Sequence, residues 1–170
     1  MTTRVSSQPD ATAQAIADRA RPALGAIVVS ISKLTADLMV ESLAWSVEAG
    51  ARYERALAAA RKIMPSIDPS AFAVRADVNP FTGNVHLLGM TMLDRFEEAA
   101  RYTVHPMVAG FASKMLEMRW TLSIPMRVGP RIVGSFSAHF AERPSEVQRQ
   151  MAAELAERAA IELEKMGSLR

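Results

Sequence analysis

The three histidines are the side chains of this sequence best suited to chemistry near neutral pH, as acids, bases or metal ligands. They are His86, His105 and His139. No two lie three or four positions apart, the spacing that places two imidazoles on one helix face, so the sequence predicts no local metal pair. His86 or His105 could ligate a haem iron, but a lone histidine beside helices is more often simply hydrogen-bonded. We therefore expect neither a metal nor a cofactor.

The serines and carboxylates show no arrangement typical of an active site. Asp94, Glu97 and Glu98 cluster with Arg95 at a predicted helix N-terminus, where acidic residues are stabilising in any case. Because cysteine is absent, thiol nucleophiles, thiolate zinc sites, disulfides and thioether-linked chromophores are excluded. We therefore predict that the protein is not an enzyme. Five serines lie in strand-like runs as polar alternates, outside any G-x-S-x-G turn: Ser30, Ser32, Ser123, Ser135 and Ser137.

Length and composition are typical of one globular domain. The chain has 170 residues, of which 49% are hydrophobic and 22% charged. The net charge is +2, and basic residues are interleaved with acidic ones, so no stripe predicts direct binding to nucleic acid. No uncharged apolar run approaches about 18 residues, and the polar N-terminus does not resemble a secretory signal. We expect a cytoplasmic protein that does not enter a membrane, with a flexible tail at 1–9 and a single domain at 10–170.

Periodicity and turn residues predict an α+β fold with a mostly antiparallel sheet. Asp10 is expected to cap a first helix, Asn79 a short middle helix, and Ser145 a long last helix that begins with a capping box. Two pairs of strand-like runs, each joined by a short turn, predict two hairpins. The expected helices lie at about 10–20, 48–64, 79–89, 94–102, 105–116 and 145–166, and the expected strands at 26–34, 38–47, 120–127 and 131–140, with short extended pieces at 72–74 and 90–92.

Two rows of residues on the last helix predict how it packs. One row steps by four along the helix and is expected to face the core. Beside it, a row of small residues would allow another helix to approach closely. We therefore expect a homodimer through the terminal helices, since closed two-fold dimers are the usual small assemblies. The first row is Val147, Met151, Leu155, Ala159 and Leu163, and the second is Ala152, Ala156 and Ala160.

Two C-terminal segments carry a family resemblance. The first, WTLSIPMRVGPRIVGSFSAHF at 120–140, has Ile124-Pro125 late in one strand, Gly129 in the turn and Ile132-Val133-Gly134 in the next strand. The second is LAERAAIEL at 155–163. In this order and spacing, the segments resemble the signature of GAF domains. The resemblance implies a central antiparallel sheet with the first and last helices on one face, and on the other a pocket roofed by the middle helices and loops.

The resemblance also implies a non-catalytic sensory or regulatory domain that binds a small molecule in this pocket and signals through its terminal helices. The ligand stays unidentified, because segment 66–116, where specificity would be encoded, does not match the family residue by residue. The alternative is a ligand-free structural dimerisation module of a signalling or transcription-regulatory system, its pocket filled by its own side chains. The candidate pocket residues are Phe96, Tyr102, His105, Phe111, Trp120 and Phe136.

Gly134 lies inside a predicted strand, where glycine lowers stability unless another group approaches the backbone closely. A packed helix and a bound ligand both satisfy that requirement. We favour the helix.

Overall fold

The computed structural model describes residues 10–170, which form six helices and six strands. Residues 1–9, expected to form a tail, lie outside the described residues. Within the described part, no helix is long and apolar enough to cross a membrane. The helices are α1 (Ala11–Leu24), α2 (Ala51–Arg61), α3 (Pro80–His86), α4 (Phe96–Ala99), α5 (Pro106–Met115) and α6 (Glu146–Lys165). The strands are β1 (Val28–Leu34), β2 (Met39–Val47), β3 (Ala73–Arg75), β4 (Met92–Arg95), β5 (Trp120–Val128) and β6 (Arg131–Phe140).

The six strands form one sheet in the order β3-β2-β1-β6-β5-β4, with every neighbouring pair antiparallel. The two predicted hairpins are β1–β2 and β5–β6. At the centre, β1 pairs with β6, so that Ser32 lies opposite Ser135 and Val28 lies opposite His139. This pairing joins the N-terminal and C-terminal parts of the chain. The helices and the antiparallel sheet together confirm the predicted α+β class.

The terminal helices α1 and α6 pack on one face of the sheet. Apolar residues at alternate strand positions form the core beneath them, and Ile31 and Phe136 are fully enclosed there. A side-chain amide also links the two helices, since Gln148 Nε2 donates to the Leu24 carbonyl oxygen at 2.9 Å. The other face of the sheet is covered by the middle helices.

The orientation predicted for α6 is wrong in part: Ala159 and Leu163 of the predicted core row are buried, but Val147 and Met151 are exposed. Ala152, Ala156 and Ala160 are at most 1% exposed and belong to the core with the sheet and α1, whereas Val147 is 70% exposed. The predicted core row does not stay on one face, because each step of four residues turns an α-helix by about 40° beyond a full turn. Val147 and Leu163 therefore lie on different faces. Alanine is buried here because a small side chain lets α6 lie close to its neighbours in the same chain. The alanine row is therefore not free to contact a partner.

Two further helix boundaries differ from the prediction. Helix α1 continues past Pro22 to Leu24 and is capped by Gly25, whose φ of 64° is a left-handed conformation that glycine adopts readily. Asp94 and Arg95 belong to β4 rather than to a helix, because they extend the edge of the sheet by pairing with β5. Helix α4 is correspondingly short, and the other acidic residues of the predicted cluster lie in its first turn.

Gly134 is enclosed by a neighbouring strand, not by a helix or a ligand. A Cβ atom at this position would lie 2.0 Å from the Ser32 carbonyl oxygen and 2.9 Å from Lys33 Cα, both in the backbone of β1. The expectation that a helix requires this glycine is therefore corrected. The glycine allows β1 and β6 to stay paired where their backbones approach most closely.

Candidate functional site

A cavity of about 250 Å³ lies between the second face of the sheet and the layer formed by α2, α3, α4 and α5. Its floor comes mainly from β1, β5 and β6. Its roof is largely apolar and includes Ala56 of α2, Val85 of α3 and Ala109 of α5. The cavity lies on the face of the sheet where the resemblance implied a pocket.

Three serines cross the floor of the cavity and are here called the serine row. Ser30 of β1 lies opposite Ser137 of β6, which in turn lies opposite Ser123 of β5. Ser123 Oγ and Ser137 Oγ are 2.7 Å apart and hydrogen-bonded. Ser30 Oγ has no hydrogen-bond partner among residues 10–170. The row thus presents polar groups to an otherwise apolar space.

A second set of polar groups forms a chain from floor to roof. Ser32 Oγ lies 2.8 Å from Ser135 Oγ, which lies 3.1 Å from His86 Nε2. His86 Nδ1 lies 3.0 Å from the Thr82 carbonyl oxygen, one turn earlier in α3. A carbonyl only accepts, so Nδ1 carries the proton, and burial lowers the pKa of His86 and favours the neutral ring. His86 Nε2 is then an acceptor, Ser135 donates to it, and Ser32 donates to Ser135.

His139 is the second histidine of the floor. Its Nδ1 lies 2.9 Å from Thr121 Oγ1 on the neighbouring strand. The ring contacts two aromatic residues, Trp45 at a centroid distance of 6.1 Å and Phe96 edge-on at 5.6 Å. Burial lowers the pKa of His139 to about 4. This histidine is therefore neutral at physiological pH.

Tyr53 of α2 and Trp45 of β2 form one wall. Burial raises the pKa of Tyr53, so its hydroxyl stays protonated. The Trp45 indole N–H lies near the Tyr53 hydroxyl and partly offsets the rise in the pKa of Tyr53. It nevertheless forms no hydrogen bond of acceptable geometry with any group in residues 10–170. The wall therefore holds a buried donor without an acceptor.

The cavity has almost no formal charge. No described lysine or arginine lines it, and both of its histidines are neutral. Asp68 is the one described carboxylate of the lining, and it is exposed. Its Oδ1 accepts hydrogen bonds from the Ser70 backbone N–H and hydroxyl. The lining contributed by residues 10–170 therefore offers no positive charge to a ligand.

The structure brings two of the six predicted pocket residues to the cavity, Phe96 and Phe111. Tyr102 is 77% exposed and does not reach it. His105 is also exposed, and its Nδ1 accepts the Met107 backbone N–H at the start of α5, so it caps a helix. Aromatic character alone did not distinguish the residues that face inward from those at the surface.

Trp120 and Phe136 lie on the opposite face of the sheet. Phe136 is fully buried against α1 and α6, because it alternates with the two serines on either side of it in β6. Trp120 packs against the same core, with the Arg95 and Arg143 guanidinium carbons 5.0 and 5.4 Å from its ring centre. Neither contributes to the cavity.

The polar floor was missed by the sequence prediction, although a signal for it exists. In β6, Ser135, Ser137 and His139 recur at every second position and therefore share one face. Ser30 and Ser32 repeat the pattern in β1. The same alternation is typical of a sheet with one face in solvent, so it indicates a lined cavity only together with the middle helices that cover this face.

Ser135 and His86 have the contact expected of a nucleophile and its general base. However, His86 is oriented by a neutral carbonyl rather than a carboxylate, and its lowered pKa makes it a weak base. The pair is better suited to fixing the direction of a hydrogen bond than to transferring a proton. Within residues 10–170, no group of three histidine, aspartate or glutamate side chains could hold a metal ion.

No protein-family model matches the sequence, and no curated protein matches it significantly. Several solved structures, by contrast, do match this chain. The PixJ GAF domain of Thermosynechococcus elongatus, in its blue-light absorbing form, is 16% identical with a TM-score of 0.59, over 94% of this chain and 86% of that one. A phycocyanobilin-bound GAF domain from a cyanobacterial phytochrome is 13% identical with a TM-score of 0.60, over 90% and 82%. The GAF domain/HD domain protein of Geobacter sulfurreducens is 11% identical with a TM-score of 0.62, over 90% of each chain.

The chain therefore has the GAF-domain fold. The resemblance found in the sequence is confirmed at this level, and at identities of 11–16% the likeness establishes the fold alone.

Proposed function

We propose that the protein is a non-catalytic sensory or regulatory domain that binds a small molecule in the cavity. The observation that carries this proposal is a cavity of about 250 Å³ whose apolar roof faces an ordered polar floor. A module that served only as a scaffold would gain stability by filling that space with its own side chains. Two of the similar structures are described as a blue-light absorbing and a phycocyanobilin-bound GAF domain, which supports a binding role for the fold.

The terminal helices are the proposed route for the signal. They lie on the back of the strands that form the floor, so a ligand that shifts β1 or β6 also shifts the surface on which α1 and α6 pack. Since the alanine row of α6 is buried, the proposal does not include a dimer formed through that row.

The proposal is tested with N-phenyl-1-naphthylamine, a neutral apolar fluorophore whose emission rises when it leaves water. Titration into the purified protein should give a saturable rise in emission. Ala109→Phe, which places a ring into the cavity from α5, should weaken binding at least about tenfold, because the ring would take up space that the ligand needs. Ala153→Phe, at an exposed position of α6, is the matched control and should bind as the parent does. Absence of saturable binding, or equal binding by Ala109→Phe, would refute the proposal.

A further inference from the structure

We infer that the cavity selects a neutral, apolar molecule that carries a hydroxyl or N–H donor, such as a phenol or an alcohol, and directs that donor to Ser32 Oγ. This inference rests on the proposed function and adds the chemical class of the ligand.

Because the described lining holds no lysine or arginine, it disfavours anionic ligands. A carboxylate or phosphate transferred from water into this cavity would lose its hydration and meet no described lysine or arginine. Asp68, the one described charge of the lining, would repel it. Both histidines are held neutral by burial, so they do not replace the missing cation.

The hydroxyl protons of Ser32 and Ser135 do not replace it either, because the hydrogen-bond chain from Ser32 to His86 has a fixed direction. The Thr82 carbonyl determines the tautomer of His86, which makes His86 Nε2 an acceptor for Ser135. Ser135 has then used its only proton, and it accepts the proton of Ser32. Ser32 Oγ keeps its lone pairs. A ligand meets an acceptor at the floor end of this chain, so the group that fits there is a donor.

Ser30 defines a second polar contact. It lies two residues before Ser32 on the same strand and the same face, and its hydroxyl has no partner among residues 10–170. This hydroxyl can donate to an acceptor of the ligand. A phenol or alcohol oxygen both donates and accepts, so it suits a floor that presents an acceptor at Ser32 and a donor at Ser30.

Three probes test the requirement for neutrality and the requirement for a donor separately: 2-naphthol, 2-methoxynaphthalene and 2-naphthoate. All three carry the same bicyclic ring, and only the first combines neutrality with a donor. Isothermal titration calorimetry at neutral pH should rank 2-naphthol about 3- to 10-fold tighter than the ether, the worth of one net hydrogen bond. Binding of 2-naphthoate should be weaker than both.

The Ser32→Ala variant tests whether Ser32 Oγ accepts the hydrogen bond that the ligand donates. The preference for 2-naphthol over the ether should disappear in this variant, while the affinity for the ether stays within about twofold, which a merely structural defect would not produce. Ser113→Ala, a buried serine of α5 outside the cavity lining, is the matched control and should keep the full preference.

The possible failures are distinguishable. Equal binding of 2-naphthoate and 2-naphthol would overturn the requirement for neutrality, and a preference that survives in Ser32→Ala would overturn the contact with Ser32. If none of the three probes binds while N-phenyl-1-naphthylamine does, the ligand class is wrong and the proposed function stands. If that fluorophore fails as well, both are refuted.

Discussion

Ser135 Oγ lies 3.1 Å from His86 Nε2, although 49 positions separate the two residues in the sequence. One belongs to the centre of the sheet and the other to the last turn of α3, so this hydrogen bond ties the roof of the cavity to its floor. Both groups are buried, which makes the bond costly to leave unmade. The contact thereby fixes the height of the cavity and the direction of its hydrogen bonds.

A double-mutant cycle should detect this contact. Replacing His86 with Leu leaves the Ser135 hydroxyl without its acceptor, and we expect the free energy of unfolding to fall by about 1–3 kcal/mol. In the Ser135→Ala background, the same replacement should cost at least about 0.5 kcal/mol less, because the donor is already gone. Urea denaturation of the four proteins measures the coupling. Additive effects would show that the two residues do not interact.

Acid should destabilise the protein through His139. The pKa of His139 in the folded protein is about 4, below the ordinary value of 6.5. Well above pH 6.5, the ring is therefore unprotonated in both the native and the unfolded state. As pH falls from about 6.5 to about 4, only the unfolded chain takes up the proton, and stability is lost over that window by up to about 3 kcal/mol.

His139→Gln isolates this contribution, because it removes the titrating ring and leaves the carboxylates in place. Denaturant unfolding should be measured in steps from pH 7.5 to pH 4.5 for both proteins. The stability of the parent should fall more steeply with acidification than that of the variant. Parallel curves would mean that His139 takes up its proton as readily in the native state as in the unfolded chain.

Any side chain at position 134 should force β1 and β6 apart. Because the first added carbon of Gly134→Ala meets the β1 backbone rather than a flexible side chain, we expect a loss of about 1–3 kcal/mol or more. Gly110→Ala is the contrasting control, since nothing lies within 4 Å of the added atom in α5, and helix propensity predicts a gain of up to about 1 kcal/mol. Thermal and urea unfolding distinguish the two. A harmless Gly134→Ala would contradict the close approach of the strands.

The packing of α6 can be tested by charge placed on either side of the helix. Ala156→Glu buries a carboxylate in the core without a partner and should destabilise the protein by several kcal/mol, or prevent folding. Ala153→Glu, one turn away on the exposed side, should change stability by no more than about 0.5 kcal/mol. Circular dichroism during urea unfolding gives both values. Equal tolerance at the two positions would place the alanine row at the surface after all.

Local signals in the sequence predicted most of the fold. Asp10, Asn79 and Ser145 cap α1, α3 and α6 in the structure, because the side chain of each bonds a backbone N–H three residues ahead. The two hairpins were also recognisable, since each joins strands that are adjacent in sequence. The C-terminal motif then indicated how the elements are arranged.

The cavity was harder to predict because its lining comes from distant parts of the chain. Which aromatic residue faces inward depends on how α4 and α5 settle on the sheet, so Phe96 and Phe111 enter the cavity while Tyr102 points to solvent. The face of α6 depends on the space left by α1, which favours alanine over larger apolar residues. The alternation of serines within β6 was a local signal, but its meaning required the pairing of β1 with β6.

The most direct test of the cavity as a site for a neutral hydrogen-bond donor is a crystal structure of the protein grown with 2-naphthol. Our account predicts electron density for the ring between the sheet and the middle helices, with the naphthol oxygen about 2.7 Å from Ser32 Oγ. The chain from Ser32 through Ser135 to His86 should remain intact. Ring density only at the protein surface, or a cavity closed by the protein's own side chains, would contradict the account.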